Sequence, residues 1–260
     1  MALLRTWHTS GKFRVGLVIT IFLCVTAILS SPITSLVIGD RDPLATGSYG
    51  IFEDPSREHP FGTDRFGRDV FGLVLVGLPN SLLVAVIGGV ISTAIGVVVG
   101  FVAGYKGGVV DSILRTFTDM ILVIPTLPLI FILARYTTHL SIPVLGFILA
   151  IFGWPFAARV IRSQVLSLRE RPYVELSKLT NMKDREIIFQ DILPNMLPYI
   201  GIGLATSSVA SAFALVGLTV IGLGPSDTID LGAIISFSLQ WGVLSLGQWA
   251  IFAAPVVLLV

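Results

Sequence analysis

Five stretches of this chain are apolar over lengths that no soluble domain of the same size carries. They are Val15–Ile38, Ser81–Ala103, about Phe117–Ala134, Ile142–Ala158 and Pro198–Leu223. A sixth begins near Leu246 and is still apolar at Val260. A helix needs about 20 apolar residues to cross the hydrocarbon core of a bilayer. Backbone N–H and C=O groups find no water there, so helices are the form that long apolar runs must take. The runs therefore predict an all-α fold, a polytopic membrane helix bundle of about six spans. Composition agrees: 54% of residues are hydrophobic and 13% charged, with a mean hydropathy of +0.89. Ordinary soluble domains carry about 25% charged residues.

The first run is longer than the roughly 7–15 apolar residues of a secretory signal and shows no small-x-small cleavage site, so it reads as a retained span. The last run is short for a span, which sets the expectation that the natural chain continues beyond Val260 with a further tail. The linear division expected is 1–38 for the N-terminus and first span, 39–80 for an extracytoplasmic segment, and 81–260 for the core. A cytoplasmic loop occupies 159–197 of that core.

Lys and Arg placement sets orientation. With the N-terminus inside, the inner segments hold Arg5, Lys12, Arg14, Lys106, Arg115, Arg159, Arg162, Arg169, Arg171, Lys178, Lys183 and Arg185. The outer segments hold only Arg41, Arg57, Arg65, Arg68 and Arg135. The acidic stretch Gly39–Asn80, with Asp40 among its carboxylates, is then outside. So is Gly224–Gly247, whose apolar middle, Leu231–Val243, is too short to cross and reads as re-entrant or interfacial.

Within the spans, Gly88, Ser92, Gly96, Gly100 and Gly104 recur every four residues and share one helix face. Gly203, Ser207 and Ser211 repeat the pattern in the fifth span, beside Ser208 and Ala212. Such faces serve close helix packing or line a solute path. Asp119 follows Arg115 by four residues, a spacing at which two side chains pair on a helix. Pro125 and Pro128 predict a bend in the third span.

The loop from Arg159 to Pro198 is the most polar inner stretch. Pro172 ends any helix from the fourth span. Tyr173–Thr180 predicts a short helix, with Asn181 as a left-handed terminator. A second short helix is expected over about Asp184–Leu193, capped by Asp184. Val174, Leu176 and Leu179 would then put apolar surface in water, which marks a partner site.

Here the sequence resembles a family. The run Tyr173-Val174-Glu175-Leu176-Ser177-Lys178-Leu179-Thr180-Asn181, with Ile192-Leu193-Pro194-Asn195, is similar to the EAA loop of ABC-importer permeases. Glu175 matches the family glutamate. Leu176 and Ser177 stand where two alanines are usual, and Asn181 where glycine is usual. His59-Pro60-Phe61-Gly62-Thr63-Asp64-Arg65-Phe66-Gly67-Arg68-Asp69-Val70 resembles the segment before the second span in dipeptide and oligopeptide permeases. Gly104-Tyr105-Lys106-Gly107-Gly108 resembles their next inner turn, and Leu223-Gly224 with Leu231-Gly232 their outer segment. The resemblance implies a permease subunit that pairs with a second, homologous permease in the bacterial cytoplasmic membrane. It implies two ATPase subunits below and an extracytoplasmic substrate-binding protein above. Tyr173, Val174, Glu175, Leu176, Leu179 and Asn181 would form the ATPase-coupling helix. The implied cargo is short peptides, or a nickel chelate, glutathione or another small solute.

ATP and Mg are expected on the partner subunits, since Gly11-Lys12 lacks the upstream glycine and following hydroxyl of a phosphate loop. No catalytic residue, metal site or cofactor is expected in this chain: His8, His59 and His139 are scattered, and Cys24 stands alone in an apolar run. A net charge of +1 offers no electrostatic case for nucleic acid. A secondary transporter or channel would need intramembrane acids or an inverted repeat, neither of which is present. A non-transporting scaffold would leave the coupling-type loop unexplained.

Overall fold

The computed structural model describes residues 11–39, 41–136, 141–225 and 228–260, except for the side chains of 13 and 133–136. Arg5, His8, Asp40 and His139 lie outside the described residues, as does the side chain of Arg135. Among the described residues every regular element is a helix, and the one β-contact is an isolated bridge between Thr63 and Asp69. The helices are α1 (Gly11–Ile28), α2 (Ser30–Ile38), α3 (Val70–Lys106), α4 (Gly108–Val123), α5 (Thr126–Tyr136), α6 (Ile142–Arg169) and α7 (Pro172–Leu179). Then come α8 (Asp184–Val220), α9 (Leu231–Gln240) and α10 (Trp249–Leu259).

Three helices, α3, α6 and α8, are each long and apolar enough to cross a membrane. Two bent pairs, from α1 with α2 and from α4 with α5, raise the number among the described residues to five if each pair is one span. The sixth expected span is α10, 11 residues long. Both bends have a proline behind them. The first run is not one straight helix: it turns by 67° after Ile28. Pro32 lacks the N–H that would bond the Ile28 carbonyl, and its ring crowds that carbonyl. The third run turns by 69° at Ile124, which is extended because it precedes Pro125.

The chain divides into two compact units, Met1–Leu82 with Asp227–Val260, and Leu83–Ser226. The first unit has its core at Val70, Leu73, Val74 and Leu78 of α3, Leu231 and Ile234 of α9, Val243, and Ile251 of α10. The α9 helix is capped by Asp230, whose carboxylate accepts from the Ala233 N–H at 3.1 Å. It is held to α3 by Ser81 Oγ, which accepts from the Leu231 N–H at 3.0 Å, and by Asn80 Nδ2, which donates to the Ile229 carbonyl at 2.7 Å.

In the second unit the row of small residues on α3 sets helix spacing. A Cβ on Gly96 would lie 2.6 Å from the Cβ of Ala157, one on Gly100 2.8 Å from the Ala158 carbonyl oxygen, and one on Gly104 2.9 Å from the Cβ of Val165. Ser92 is buried and donates to the Ala150 carbonyl at 3.1 Å. Further along, Gly88 meets Ser211 of α8, with 2.6 Å from a built Cβ to the Ser211 Cβ, and Gly89 meets Ser208 at 2.9 Å. The α3 backbone therefore lies directly on α6 and α8, where dispersion between touching main chains replaces the hydrophobic drive that lipid cannot supply. Two cores flank the row. One joins Val84 with Leu145, Leu149, Leu215 and Leu218, and the other joins Phe101 with Ile161, Val165 and Met196.

This contact predicts a contrast between two glycines. Gly100→Ala must push α6 away against a backbone atom, at a cost of about 1–3 kcal/mol. Gly201→Ala on α8 meets nothing within 4 Å and gains about 0.8–1 kcal/mol of helix propensity. Thermal unfolding of the purified protein should move down for the first and hold or rise for the second.

Candidate functional site: the anchored loop helix

The loop between α6 and α8 is built from chain stops that the sequence encodes locally. After Arg169 the chain turns extended at Arg171, and Pro172 opens α7 at its first position, where a missing N–H costs nothing. At its far end Thr180 is the cap and Asn181 takes φ +57°. The Asn181 N–H donates to the Lys178 carbonyl at 3.1 Å and the Met182 N–H to the Ser177 carbonyl at 3.2 Å. This pair of bonds is a Schellman motif, and the left-handed residue it requires is here Asn, which tolerates positive φ better than most non-glycine residues.

The second short helix of the loop is not separate. Asp184 starts α8, which runs without interruption to Val220. Ile187–Ile192 form a π-helical turn, and the Leu193 N–H reaches back to the Ile188 carbonyl. That turn immediately precedes Pro194, whose ring and missing N–H would clash with regular α geometry. Widening the turn carries the helix past Pro194 and into the fifth span. Nor does Asp184 cap the helix. Lys183 is the N-cap residue, and its N–H is accepted by the Glu186 carboxylate at 3.1 Å. The Asp184 carboxylate instead accepts from the Tyr105 hydroxyl at 2.8 Å.

Neighbouring helix ends fasten the loop. The Arg169 guanidinium donates to the carbonyls of Gly104 at 3.3 Å and Tyr105 at 3.0 Å, satisfying the last turn of α3. Gly107 follows at φ +66°, and a Cβ there would lie 3.0 Å from that guanidinium.

The expected apolar trio of α7 splits in two. Val174 is not on the exposed patch: it is 0% exposed and packs with Phe101, Ile161, Val165, Ile187, Ile192 and Met196. Leu176 and Leu179 are 62% and 82% exposed, and Tyr173 is 40% exposed. Glu175 is exposed beside them. At about 100° per residue Val174 stands roughly opposite the mean direction of Leu176 and Leu179, so the split follows from helix geometry alone. Sequence reasoning missed Phe189, which is 65% exposed on the π-turn that packs against α7. A site built this way has no acid–base or nucleophilic geometry. It leaves a short helix fixed at one face, with apolar side chains exposed on the other.

Of the other singled-out residues, Ser207 and Ser211 are buried and line a cavity of about 580 Å³ with Ser92, Thr206 and Gly153. Ser208 lies against Gly89. Asp119 has a partner that the i, i+4 spacing did not reveal: Arg159 of α6 lies 2.7 Å from it, nearer than Arg115 at 3.7 Å.

The His59–Val70 run folds as a knot ahead of α3. The Asp64 carboxylate accepts from the N–H groups of Phe66 and Arg68 and from Arg68 Nε at 2.7 Å. Asp69 accepts from the Phe71 N–H at 2.8 Å, capping the start of α3, and its other oxygen lies 3.3 Å from His59 Nδ1. Thr63 Oγ1 donates to the Gly50 carbonyl and accepts from the Glu53 N–H. Gly62 and Gly67 make the tight turns at φ +75° and +66°. Arg68 sits over the rings of Phe66 and Phe237, and Trp241 stacks on Phe237 at 5.1 Å.

A polytopic bundle of helices with a docked loop helix on its surface is the architecture of a membrane transport subunit, and the comparisons agree. Residues 96–260 match the family described as binding-protein-dependent transport system inner membrane component. The chain is 30% identical over 252 residues to the oligopeptide transport system permease protein OppC of Bacillus subtilis, covering 96% of this chain and 80% of that one. The OppC protein of Mycobacterium tuberculosis is 32% identical over 203 residues, 75% of this chain and 69% of its own. The dipeptide transport system permease protein DppC of B. subtilis is 37% identical over 212 residues, 80% of this chain and 63% of its own. The chain belongs to the family of inner membrane components of binding-protein-dependent transport systems, and is a multi-pass membrane protein.

The anchor and the terminator are separable by mutation. Val174→Asp puts a carboxylate into a closed core and should cost about 3 kcal/mol or more. Asn181→Val forces a β-branched residue to positive φ and should cost about 1–2 kcal/mol. Asn181→Gly should be neutral or stabilising. Protease nicking between α6 and α8 measures all three.

Proposed function

We propose that this chain is a permease subunit of an ABC importer for short peptides, energised by separate ATPase subunits. The observation that carries the reading is the two-faced helix α7: Val174 locked into the bundle, with Leu176 and Leu179 left outside it. A helix held on one side only by an apolar anchor transmits a push to the bundle it is packed on. The names of the relatives supply the cargo class, since both OppC and DppC are named for peptide transport.

In this reading two ATPase subunits, which hold ATP and Mg, receive α7 in a cleft. A second homologous permease completes the solute path, and an extracytoplasmic binding protein delivers the peptide. The N-terminus and the α7 loop face the cytoplasm, a reading supported by the excess of Lys and Arg in those segments. Closure of the ATPase pair moves α7. Val174 passes the displacement to Ile161 and Val165 of α6 and to Ile187 and Ile192 of α8. ATP shifts the equilibrium between inward-open and outward-open bundles only by as much as it favours one of them.

Replacing Leu176 and Leu179 by Asp tests this on the complete assembly. Each is expected to remove an anchor contact of about 2 kcal/mol. The ATPase subunits should no longer co-purify, and peptide-stimulated ATP hydrolysis should fall by more than about tenfold. The second permease should still co-purify, because the buried face of α7 is untouched. Unchanged hydrolysis would sink the assignment.

A further inference from the structure

Helix α4 is exposed on two faces of opposite character. Val109, Ile113, Phe117, Met120 and Val123 are between 54% and 82% exposed and form one stripe along its whole length. Arg115 lies roughly 140° and Asp119 roughly 100° around the axis from that stripe, at about 100° per residue. Their side chains are 65% and 44% exposed, and Arg159 beside them is 58% exposed. The two helices run antiparallel here, since Asp111 pairs with Arg162 of α6 and Asp119 with Arg159.

The levels of these groups matter. The apolar stripe continues from Asp119 to Val109, about 15 Å further toward the start of the helix. Hydrocarbon or an apolar neighbour therefore covers the stripe, and the charges stand beside it toward the inner end of the span. Charged side chains exposed to hydrocarbon are costly, and such groups in membrane helices face protein or water-filled cavities.

The charged face borders a half-open cleft. A cavity of about 440 Å³ is bounded by Leu114, Arg115 and Asp119 of α4, Arg159 and Arg162 of α6, and Gly100 of α3. The Asp111 carboxylate takes both nitrogens of the Arg162 fork. Asp119 is shared between Arg159 and Arg115. Three arginines thus face two aspartates, and one positive charge is left over.

From this geometry we infer that the cavity is a water-filled stretch of the solute path whose surplus arginine charge attracts a carboxylate-class anion, such as the C-terminus of a passing peptide. The inference rests on the importer reading above and adds to it the residues that line the path and the charge they select.

The test uses the complete assembly in nanodiscs at about 0.5 M salt, where exposed surface charge is screened beyond roughly 5 Å. In a Cys24→Ala background, Leu114→Cys reports on the cavity and Met120→Cys on the apolar stripe. The probes are two water-soluble methanethiosulfonates, one with a sulfonate and one with a trimethylammonium group, each normalised to its rate on a free thiol. Leu114→Cys should react on the order of threefold to tenfold faster with the sulfonate. Adding Arg115→Gln and Arg159→Gln should bring the two rates together. Met120→Cys should react with neither reagent, only with a lipid-soluble maleimide.

No reaction of Leu114→Cys with either water-soluble reagent overturns the inference, as do equal rates for both in the chain with its arginines intact. A preference present in phosphatidylcholine discs but lost in phosphatidylglycerol discs marks a headgroup site and also overturns it. ATP-driven uptake of tri-alanine by the parent assembly reads the importer assignment separately, so a failure of the cavity inference is distinguishable from a failure of that assignment.

Discussion

Backbone contact between α3 and its neighbours is the constraint from which the rest of the second unit follows. Water squeezes soluble helices together, but lipid tails are as apolar as leucine, so helices in a bilayer hold by touching closely. Gly96, Gly100 and Gly104 let α3 lie on Ala157, Ala158, Ile161 and Val165 of α6. Gly88 and Gly89 do the same toward Ser211 and Ser208 of α8. Without that approach, Phe101 could not reach the cluster that holds Val174, and α7 would have no seat.

The loop helix shows how polar and apolar forces divide the labour at a membrane surface. Its position is set by one buried valine. Its neighbours are set by groups that helix ends leave over: Arg169 on the last carbonyls of α3, and Tyr105 on Asp184 at the start of α8. Spare donors and acceptors at three helix ends thereby become the frame of the loop. The outward leucines take no part in that frame, which leaves them available to a partner.

Charge is used sparingly and in pairs. Asp111 with Arg162, and Asp119 with Arg159, tie α4 to α6. In the first unit Asp64 with Arg68 ties the knot that starts α3, and Asp69 caps it. The Gly-Thr-Asp and Gly-Arg-Asp pieces of that run are thus accounted for as turn, cap and ion pair, with no chemistry left over to explain.

Much of this was legible in the residues themselves. Apolar run length implied helices, Pro32 and Pro125 lie where the bends fall, Pro172 opens α7, and Asn181 takes the left-handed turn. Each of these is set by covalent geometry or by the absence of water, which act within a few residues. Other features depended on what the fold brought near. Val174 is separated from Leu176 and Leu179 by helix phase, yet only the seat formed by Phe101, Ile161 and Ile187 makes it an anchor. The joining of Asp184–Leu193 to the fifth span came from a π-turn that fits Pro194 into a continuous helix. Arg159 as the partner of Asp119 lies 40 residues away, and no local spacing encodes it. Solvent and stereochemistry therefore decided which runs are helical and where several of them bend or stop, while the tertiary structure decided which faces meet, because close packing depends on residues far apart in the chain.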